Sequence, residues 1–591
     1  MRLLPILVGL FCLTVYLSLA GPTFYWLDSS ELSAAAWELG IPHPPGHPLP
    51  SLLGRLLCLL PLGTLAFRVT LASALAAAAA AGLVVVISLQ VLRRLGEEAA
   101  RPAWLGPTAA ALAGLTVGLS YALGFQAVRA EVYALNLCLL LAGASLLLKW
   151  DETGDRRPLL LAGLVGGLAL CNHHFLVVLA LPGMLMFILL RKRKPGWGRA
   201  ALGLCLCGLL GLSTLAYLPL RSARGTEVDW GSPHTAERFF WVVSAKAFQK
   251  AVNKAGKETV EHRAMGAVFA VVGGLGPLAA TAALGGLYFL WRQRRSRRAA
   301  LLLSCVAGCN LLSPLTVGFD PLNPDAHGYL AVAVAFLAPC LAVMLTLVGS
   351  ALGARRGWAL APVLLVGATL PAYQVAANLD RCDLRRHWQA EETARAQLEV
   401  PPRALILSAY FGTVFNYWAM RVLADHRPDV DMFHRHFLPM PGRMERLQRR
   451  LPAVAAHAQA WLQAQHLLPP GLSTLSQERP LFVEYDLNLR RDVMDRLRPG
   501  GLFLRYGSGV GSREAQLAAH ERQIARWRAA MGPVSERESV RGVMYNHYLL
   551  AHYACAMGDR PLARFHYRLA LQLGPASTDL ARLAASCAVG Q

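Results

Sequence analysis

The sequence predicts an all-α polytopic membrane protein that carries a soluble C-terminal domain of strands, helices and a final helical hairpin. Three observations predict it. Of 591 residues, 55% are hydrophobic and only 16% charged, against roughly a quarter charged in ordinary soluble domains. Apolar runs approaching the about 20 residues that cross a bilayer recur through residues 1–377, about eleven of them. From residue 378 the composition reverts to that of a water-soluble chain.

The runs occupy residues 3–20, 69–92, 105–124, 134–149, 158–171, 175–190, 200–219, 265–290, 300–318, 329–350 and 359–377. Basic residues sort between them. Arg93 and Arg94, Arg156 and Arg157, Arg191 to Lys194, Arg292 to Arg298, and Arg355 and Arg356 fall in alternate connectors, as the positive-inside rule requires. An N-terminus inside puts every such connector inside and leaves residues 378–591 outside. Ser18-Leu19-Ala20 resembles a signal-peptidase site, but an uncleaved helix is expected, because the following loop needs its anchor. The net charge of +22 thus reads as topology, and nucleic acid is excluded as a partner because the basic residues form no face with interleaved aromatics. Twelve cysteines lie mostly in apolar runs, where cysteine behaves as a small hydrophobe. No disulfide framework and no zinc pair are expected from their spacing.

The outer connectors hold the chemistry. Asp28-Ser-Ser-Glu31 places two carboxylates on one helical face, where they also fit a capping box. His43-Pro-Pro-Gly-His47-Pro presents two histidines in a stiff turn, and the amphipathic stretch Leu49–Leu60 after it is expected to lie along the interface. Arg129-Ala-Glu131-Val-Tyr133 follows the third run. Residues two apart on a helix do not face one another, so Arg129 and Glu131 are expected to find separate partners or a cavity. Ionisable groups at membrane depth read as functional, and the Arg129 and Arg221 guanidinium forks match phosphate oxygens, with snorkelling as the alternative for Arg221. Asn172-His173-His174 sits between two runs with almost no connector and reads as part of a polar cavity. With Asp325 and His327 on the same side, a divalent metal is the alternative to direct hydrogen bonding; no cofactor is required.

In the tail, Ala404–Ser408, Leu481–Tyr485 and Leu502–Tyr506 read as short buried strands among helical patterns. Residues 545–575 resemble one tetratricopeptide-type hairpin. A single repeat cannot bury its own face, so it is expected to pack on a helix at 513–531. Gly507-Ser-Gly-Val-Gly511 lacks the context of a dinucleotide fingerprint.

Asp28-Ser-Ser-Glu31-Leu-Ser-Ala-Ala-Ala-Trp-Glu-Leu-Gly40, His43-Pro-Pro-Gly-His47-Pro-Leu, Gly54-Arg55, Arg129-Ala-Glu131-Val-Tyr133-Ala-Leu, Asn172-His173-His174, Tyr217-Leu-Pro-Leu-Arg221-Ser and Trp230-Gly231 follow one another in order. As a set they resemble the signature of bacterial multi-spanning proteins related to the animal endoplasmic-reticulum O-mannosyltransferase that modifies IPT domains of plexins and related receptors. That family is similar to the GT-C glycosyltransferases, and the resemblance covers roughly the first 330 residues well and the tail loosely. It implies a GT-C-like fold and transfer of a sugar, mannose by analogy, from a polyprenyl-phosphate donor to an acceptor hydroxyl, such as Ser or Thr of a protein, or of a glycan. It implies membrane lipid as surroundings, a bacterial inner membrane as location and a tail on the periplasmic side. Asp28 and Glu31 then occupy the catalytic position. Arg129, Arg221, His43 and His47 are expected at the donor phosphate, and Glu131, Tyr133, Asn172, His173 and His174 in the substrate cavity. Ser30 and His47 depart from the family pattern, where glycine and tyrosine are usual. A lipid-linked-sugar transporter or flippase, or a non-catalytic assembly factor, would share many of these features, although no inverted repeat or broken pair of spans is visible in the sequence.

Overall fold

The computed structural model describes residues 2–96, 102–191, 196–253, 259–317, 319–353, 360–507, 512–575 and 577–587. The chain divides into two compact units, Met1–Pro22, Ala35–Thr226 and Pro233–Arg386 in the first and Thr23–Ala34, Glu227–Ser232 and His387–Gln591 in the second. The break at 386 differs from the composition boundary at 378. Two short upstream segments, carrying Asp28, Glu31 and Trp230, belong to the second unit.

The first unit is a bundle of helices. Seven described helices are long and apolar enough to cross a bilayer, or nine if each of two bent pairs is one span. The pairs are Leu105–Gly118 with Tyr121–Ala127, bent by 63°, and Val260–Leu275 with Pro277–Arg292, bent by 97°. This count differs from eleven at two places. Leu4–Leu19 has only 16 residues, and the runs at 158–171 and 175–190 join into one helical stretch, Arg156–Leu189, of 34 residues. A straight helix of that length would extend about 51 Å, yet this one is broken at His173, where φ is −149° and ψ 85°. Its ends meet. Arg156 lies against Gly196, and Arg191, just past the helix, stands 4.2 Å from the ring of Trp150, which stacks on Trp197. The chain therefore reverses at Asn172-His173-His174.

One carboxylate gathers the basic connectors. Asp151 holds Arg94 at 3.2 Å, Arg191 at 3.8 Å, and Arg298. Residues 192–195 and 354–359, which include Lys192, Arg193, Lys194, Arg355 and Arg356, lie outside the described residues. At the other end of the bundle, Gln126 Nε2 donates to the Pro324 carbonyl at 2.9 Å, and Asn172 Nδ2 donates to the Val132 carbonyl at 3.0 Å. Helices pack too tightly for any Cβ at Gly167, against the Gly208 carbonyl, and at Gly286, against the Cys340 carbonyl, as small residues allow inside membranes.

The second unit is built on a five-stranded sheet of order β2-β1-β3-β5-β4. The strands are β1 (Leu405–Ser408), β2 (Asp431–His434), β3 (Leu481–Val483), β4 (Leu497–Gly500) and β5 (Phe503–Tyr506). β1, with both neighbours parallel, is buried along its whole length, as a strand covered on both faces must be. β1, β3 and β5 lie in the three apolar runs; β2 and β4 do not. Glu484, just past β3, accepts from the Ala409 and Tyr410 amides at 2.7 and 2.9 Å and from Thr413 Oγ1 at 2.6 Å. The N-terminus of Phe411–Ala424, a natural anion site, is thereby filled by the chain's own carboxylate, and burial pushes that carboxyl group up.

Helices Arg537–Ala556 and Arg560–Leu573 form the hairpin, and Ile524, Trp527 and Met531 of Arg513–Met531 pack with Val543 from it. Cys555 and Cys587 form a disulfide, with 5.8 Å between Cα atoms. The cysteine spacing gave no sign of it. The partners are 32 residues apart and become neighbours only when the last helix, Thr578–Cys587, folds back.

Three buried histidines tie this region together. The Gly501 amide donates to His520 Nδ1 at 3.3 Å, which leaves the proton of the neutral ring on Nε2. That nitrogen donates to His566 Nε2 at 2.8 Å, and His566 Nδ1 donates to His547 Nδ1 at 3.1 Å. Burial holds His520 down to about 4 and His547 to about 3. Unfolding releases rings that bind protons near pH 6.5, so the unfolded state binds more protons and stability falls as the pH drops. The contribution is intact above pH 6.5 and is lost between pH 6.5 and about 3. Thermal melting across that range will show a fall of up to about 1.4 kcal/mol per pH unit for each proton withheld. His547→Phe will flatten the slope by about one proton; an unchanged slope would contradict the account.

Candidate active site

In the first unit, the turn after the acidic helix and the reversal at 172–174 bring four rings together. His43 and His47 stand 4.9 Å apart, His47 and His173 6.0 Å, and Tyr133 and His173 5.7 Å, between ring centroids. Tyr329, near the start of the helix Pro324–Gly353, closes the group at 5.4 Å from His173. The turn is tightly made. Gly46 has φ 94°, and a Cβ there would meet Leu218 at 2.7 Å; His47 itself is left-handed at φ 38°, a conformation that costs of order 1 kcal/mol outside glycine. What holds it is visible. His47 Nδ1 donates to the Asn172 carbonyl at 2.5 Å, so its proton is on Nδ1 and Nε2 keeps a lone pair. His47 Nε2, His173 Nδ1 and Asn172 Oδ1 are buried without a hydrogen-bond partner. Burial and the neighbouring His43 hold His47 well below the usual histidine range. A neutral ring with an acceptor nitrogen suits a ligand hydroxyl better than a phosphate oxygen, and it is the kind of atom a divalent cation would also take.

Arg129 and Glu131 do pair, at 2.7 Å. The expectation that they would not assumed a helix, whereas residues 128–132 are irregular, between Tyr121–Ala127 and Tyr133–Thr153. Arg129 also meets Asp325 at 2.5 Å and Gln126 Oε1 at 3.0 Å, and it is 1% exposed. Ser73 Oγ donates to the Glu131 carbonyl. Arg221 stands elsewhere, donating from Nε and Nη2 to the Leu39 and Glu38 carbonyls at 2.8 Å each, where it terminates the acidic helix. Tyr217 supports the same turn through the Gly40 carbonyl at 2.7 Å.

An apolar groove of about 870 Å³ runs beside the reversal, lined by Leu170, His174, Val178, Leu209, Phe239 and Phe240 among others. His174 faces this groove while His173, its chain neighbour, belongs to the ring cluster.

In the second unit, the helix Asp28–Glu38 begins at Asp28, after Leu27 at φ 60°. Glu31 is completely buried, and its Oε1 accepts from the indole Nε1 of Trp230. The carboxylate read as half of a capping box thus carries a tertiary bond across 199 residues of sequence. Trp230 packs on Phe437 at 4.6 Å. Tyr25 and Trp26 brace the segment through Glu536 at 2.8 Å and Ser539 at 2.8 Å. Asp28 is half-buried and close enough to Tyr410 to help push that phenol up to about 12, after burial itself and Glu538.

Residues 28–197 match the family described as the Protein O-mannosyl-transferase TMEM260 N-terminal domain. The mouse Protein O-mannosyl-transferase TMEM260 is 27% identical over 498 residues, which cover 79% of this chain and 67% of that protein. ArnT from Cupriavidus metallidurans superposes with a TM-score of 0.51 in its undecaprenyl phosphate complex, at 16% identity, over 82% of this chain and 92% of ArnT. Its apo form gives 0.52 at 15% identity, over 81% and 92%. In sequence the chain is thus similar to this O-mannosyltransferase, and its first part to that family's N-terminal domain. At such identities the ArnT likeness establishes fold alone. The matched segment contains every expected site residue except Arg221.

Arg129→Met will leave Glu131 and Asp325 buried beside no cation. Breaking a buried pair from one side costs about 3–5 kcal/mol, so the variant will melt far below the wild type in detergent. Adding Glu131→Gln and Asp325→Asn will restore much of the loss. A single variant that stays stable while losing only donor affinity would make Arg129 a ligand instead.

Proposed function

We propose that this integral, multi-pass membrane protein transfers mannose from a polyprenyl-phosphate donor to a hydroxyl of a protein acceptor, with inversion, on the extracytoplasmic face. The observation that carries the reading is the acidic helix start. Glu31 is buried and held by Trp230, and Asp28, three residues earlier, shares its helical face and stays partly accessible.

Asp28 is the base. It takes the proton of the acceptor hydroxyl as that oxygen attacks the anomeric carbon opposite the phosphate. The bond from that carbon to the phosphate oxygen breaks, and polyprenyl phosphate leaves with the electron pair. Such a leaving group needs no strong acid, and the reading requires no metal. Arg129 is committed to two carboxylates, so Arg221 is the arginine better suited to the developing phosphate charge. His47 Nε2 and His173 Nδ1 serve sugar hydroxyls. The apolar groove beside His174 supports an isoprenoid chain as part of the donor.

The proposed topology has the N-terminus inside, eleven spans and the C-terminal unit outside, in a bacterial inner membrane. Two observations support it: the arginine cluster on Asp151 fits the inner end, and the Cys555–Cys587 disulfide fits an oxidising compartment. Reporter fusions at residue 350 and after residue 380 should report opposite compartments; a cytoplasmic tail would sink the assignment.

Asp28→Asn should fold and bind donor yet lose turnover by about a hundredfold or more, the size expected for a general base. Glu31→Gln should lose comparable turnover if the carboxylates act as a unit. The assay is release of labelled mannose from a polyprenyl-phosphate donor by reconstituted protein, with melting in detergent as the folding control. Chelation with EDTA should leave turnover unchanged. An active Asp28→Asn protein would refute the base.

A further inference from the structure

We propose that Arg443, in the second unit, is the anchor of a separate oxyanion site that binds a carboxylate or phosphate group side-on.

Arg443 is the first residue of helix Arg443–Arg450, whose N-terminus has no side-chain cap. A cation at that end works against the helix dipole, so its placement calls for an explanation. The guanidinium carbon stands 5.3 Å from the ring centre of Phe437 and 5.6 Å from that of Trp418, between aromatic walls. Its Nε and Nη2 are both buried without a hydrogen-bond partner. These are the two nitrogens whose N–H bonds point the same way along one edge of the group, the edge that a carboxylate or phosphate takes with two parallel bonds. His434 Nδ1 is also buried and unpartnered, its ring 4.0 Å from Phe437. Arg443 and His434 line one cavity of about 70 Å³, room for a small group and not for a sugar.

The acids nearby are held by other arginines. Glu227 pairs with Arg450, and with Arg421 at 3.7 Å. Asp431 pairs with Arg479 at 2.9 Å. Asp229 accepts from Ser232 Oγ at 3.1 Å and stands 3.9 Å from Arg446. Among the described residues no carboxylate reaches Arg443 within ion-pair distance, although Asp229, Glu31 and Glu227 act on it through space. Burial pulls the guanidinium down to about 10. A buried cation with two vacant, parallel donors is costly unless something pairs with it, and an unsatisfied group of this kind in a folded protein points to a ligand. A planar carboxylate or a phosphate oxygen pair completes the fork, and His434 Nδ1 takes up a remaining polar atom.

The test uses the full chain in detergent, titrated calorimetrically with inorganic phosphate and, separately, with acetate, at ionic strength held constant with chloride. Saturable binding of either anion is expected, with a matching rise in melting temperature, and the anion that binds tells which group the site takes. Arg443→Lys keeps the charge but loses the fork and should weaken binding at least tenfold. Arg443→Met should abolish binding and, by removing an uncompensated buried charge, leave the free protein at least as stable as wild type. Binding of neither anion, or equal binding by wild type and Arg443→Lys, would overturn the proposal. So would an Arg443→Met protein that fails to fold, since Arg443 would then be a structural group.

Discussion

A guanidinium with no water within reach has to be neutralised by the fold itself, and in the first unit that requirement falls on Arg129. Glu131 and Asp325 supply two charges and Gln126 a neutral acceptor. Gln126 belongs to the helix Tyr121–Ala127, while the two carboxylates come from the irregular segment before Tyr133 and from the start of Pro324–Gly353. Fixing these two places fixes Tyr133 and Tyr329, the walls of the ring cluster, whose centroids are 5.2 Å apart. A bilayer offers unpaired groups no solvent, so the cluster's geometry depends on this network more than on any apolar contact. Gln126 shows the same economy, since its other end bonds the Pro324 carbonyl.

Buried polar atoms without a partner occur in both units. Those of the ring cluster are acceptors on rings and an amide, at His47, His173 and Asn172, whereas those of Arg443 are donors on a cation. Acceptors on uncharged groups discriminate hydroxyl-rich ligands, while a cationic fork discriminates oxyanions. Neither kind is common in a finished protein interior.

Much of this was legible in the sequence, and the exceptions share a cause. Apolar runs and alternating basic connectors announce the bundle because the bilayer imposes length and sidedness on each segment separately. The ring residues were legible because polar groups stand out between apolar runs. What depends on partners distant in sequence was not. Glu31 reads as a local cap, and only folding brings Trp230 to it. Arg129 and Glu131 look too close to pair until the helix between them is seen to be absent. The reversal at His173 left two short runs that the structure joins, and β2 and β4, at Asp431–His434 and Leu497–Gly500, carry charge or proline that hides a strand. Arg443 lies in the arginine-rich stretch Arg443–Arg450, where nothing in the sequence marks one arginine as unpartnered and the next, Arg446, as bonded to the Glu227 carbonyl.

Trp230 also explains why the two carboxylates of the acidic helix are unequal. An indole N–H donates but never accepts, so Glu31 Oε1 is the acceptor and one of its lone pairs is taken. A hydrogen bond to a charged group contributes about 1.5–3 kcal/mol. A carboxylate held this way is fixed in position. Asp28 stands at the more accessible end of the same face. The helix thus presents one carboxylate fixed by an indole and one half-buried, a difference that the spacing Asp28-Ser-Ser-Glu31 permits and the Trp230 contact enforces.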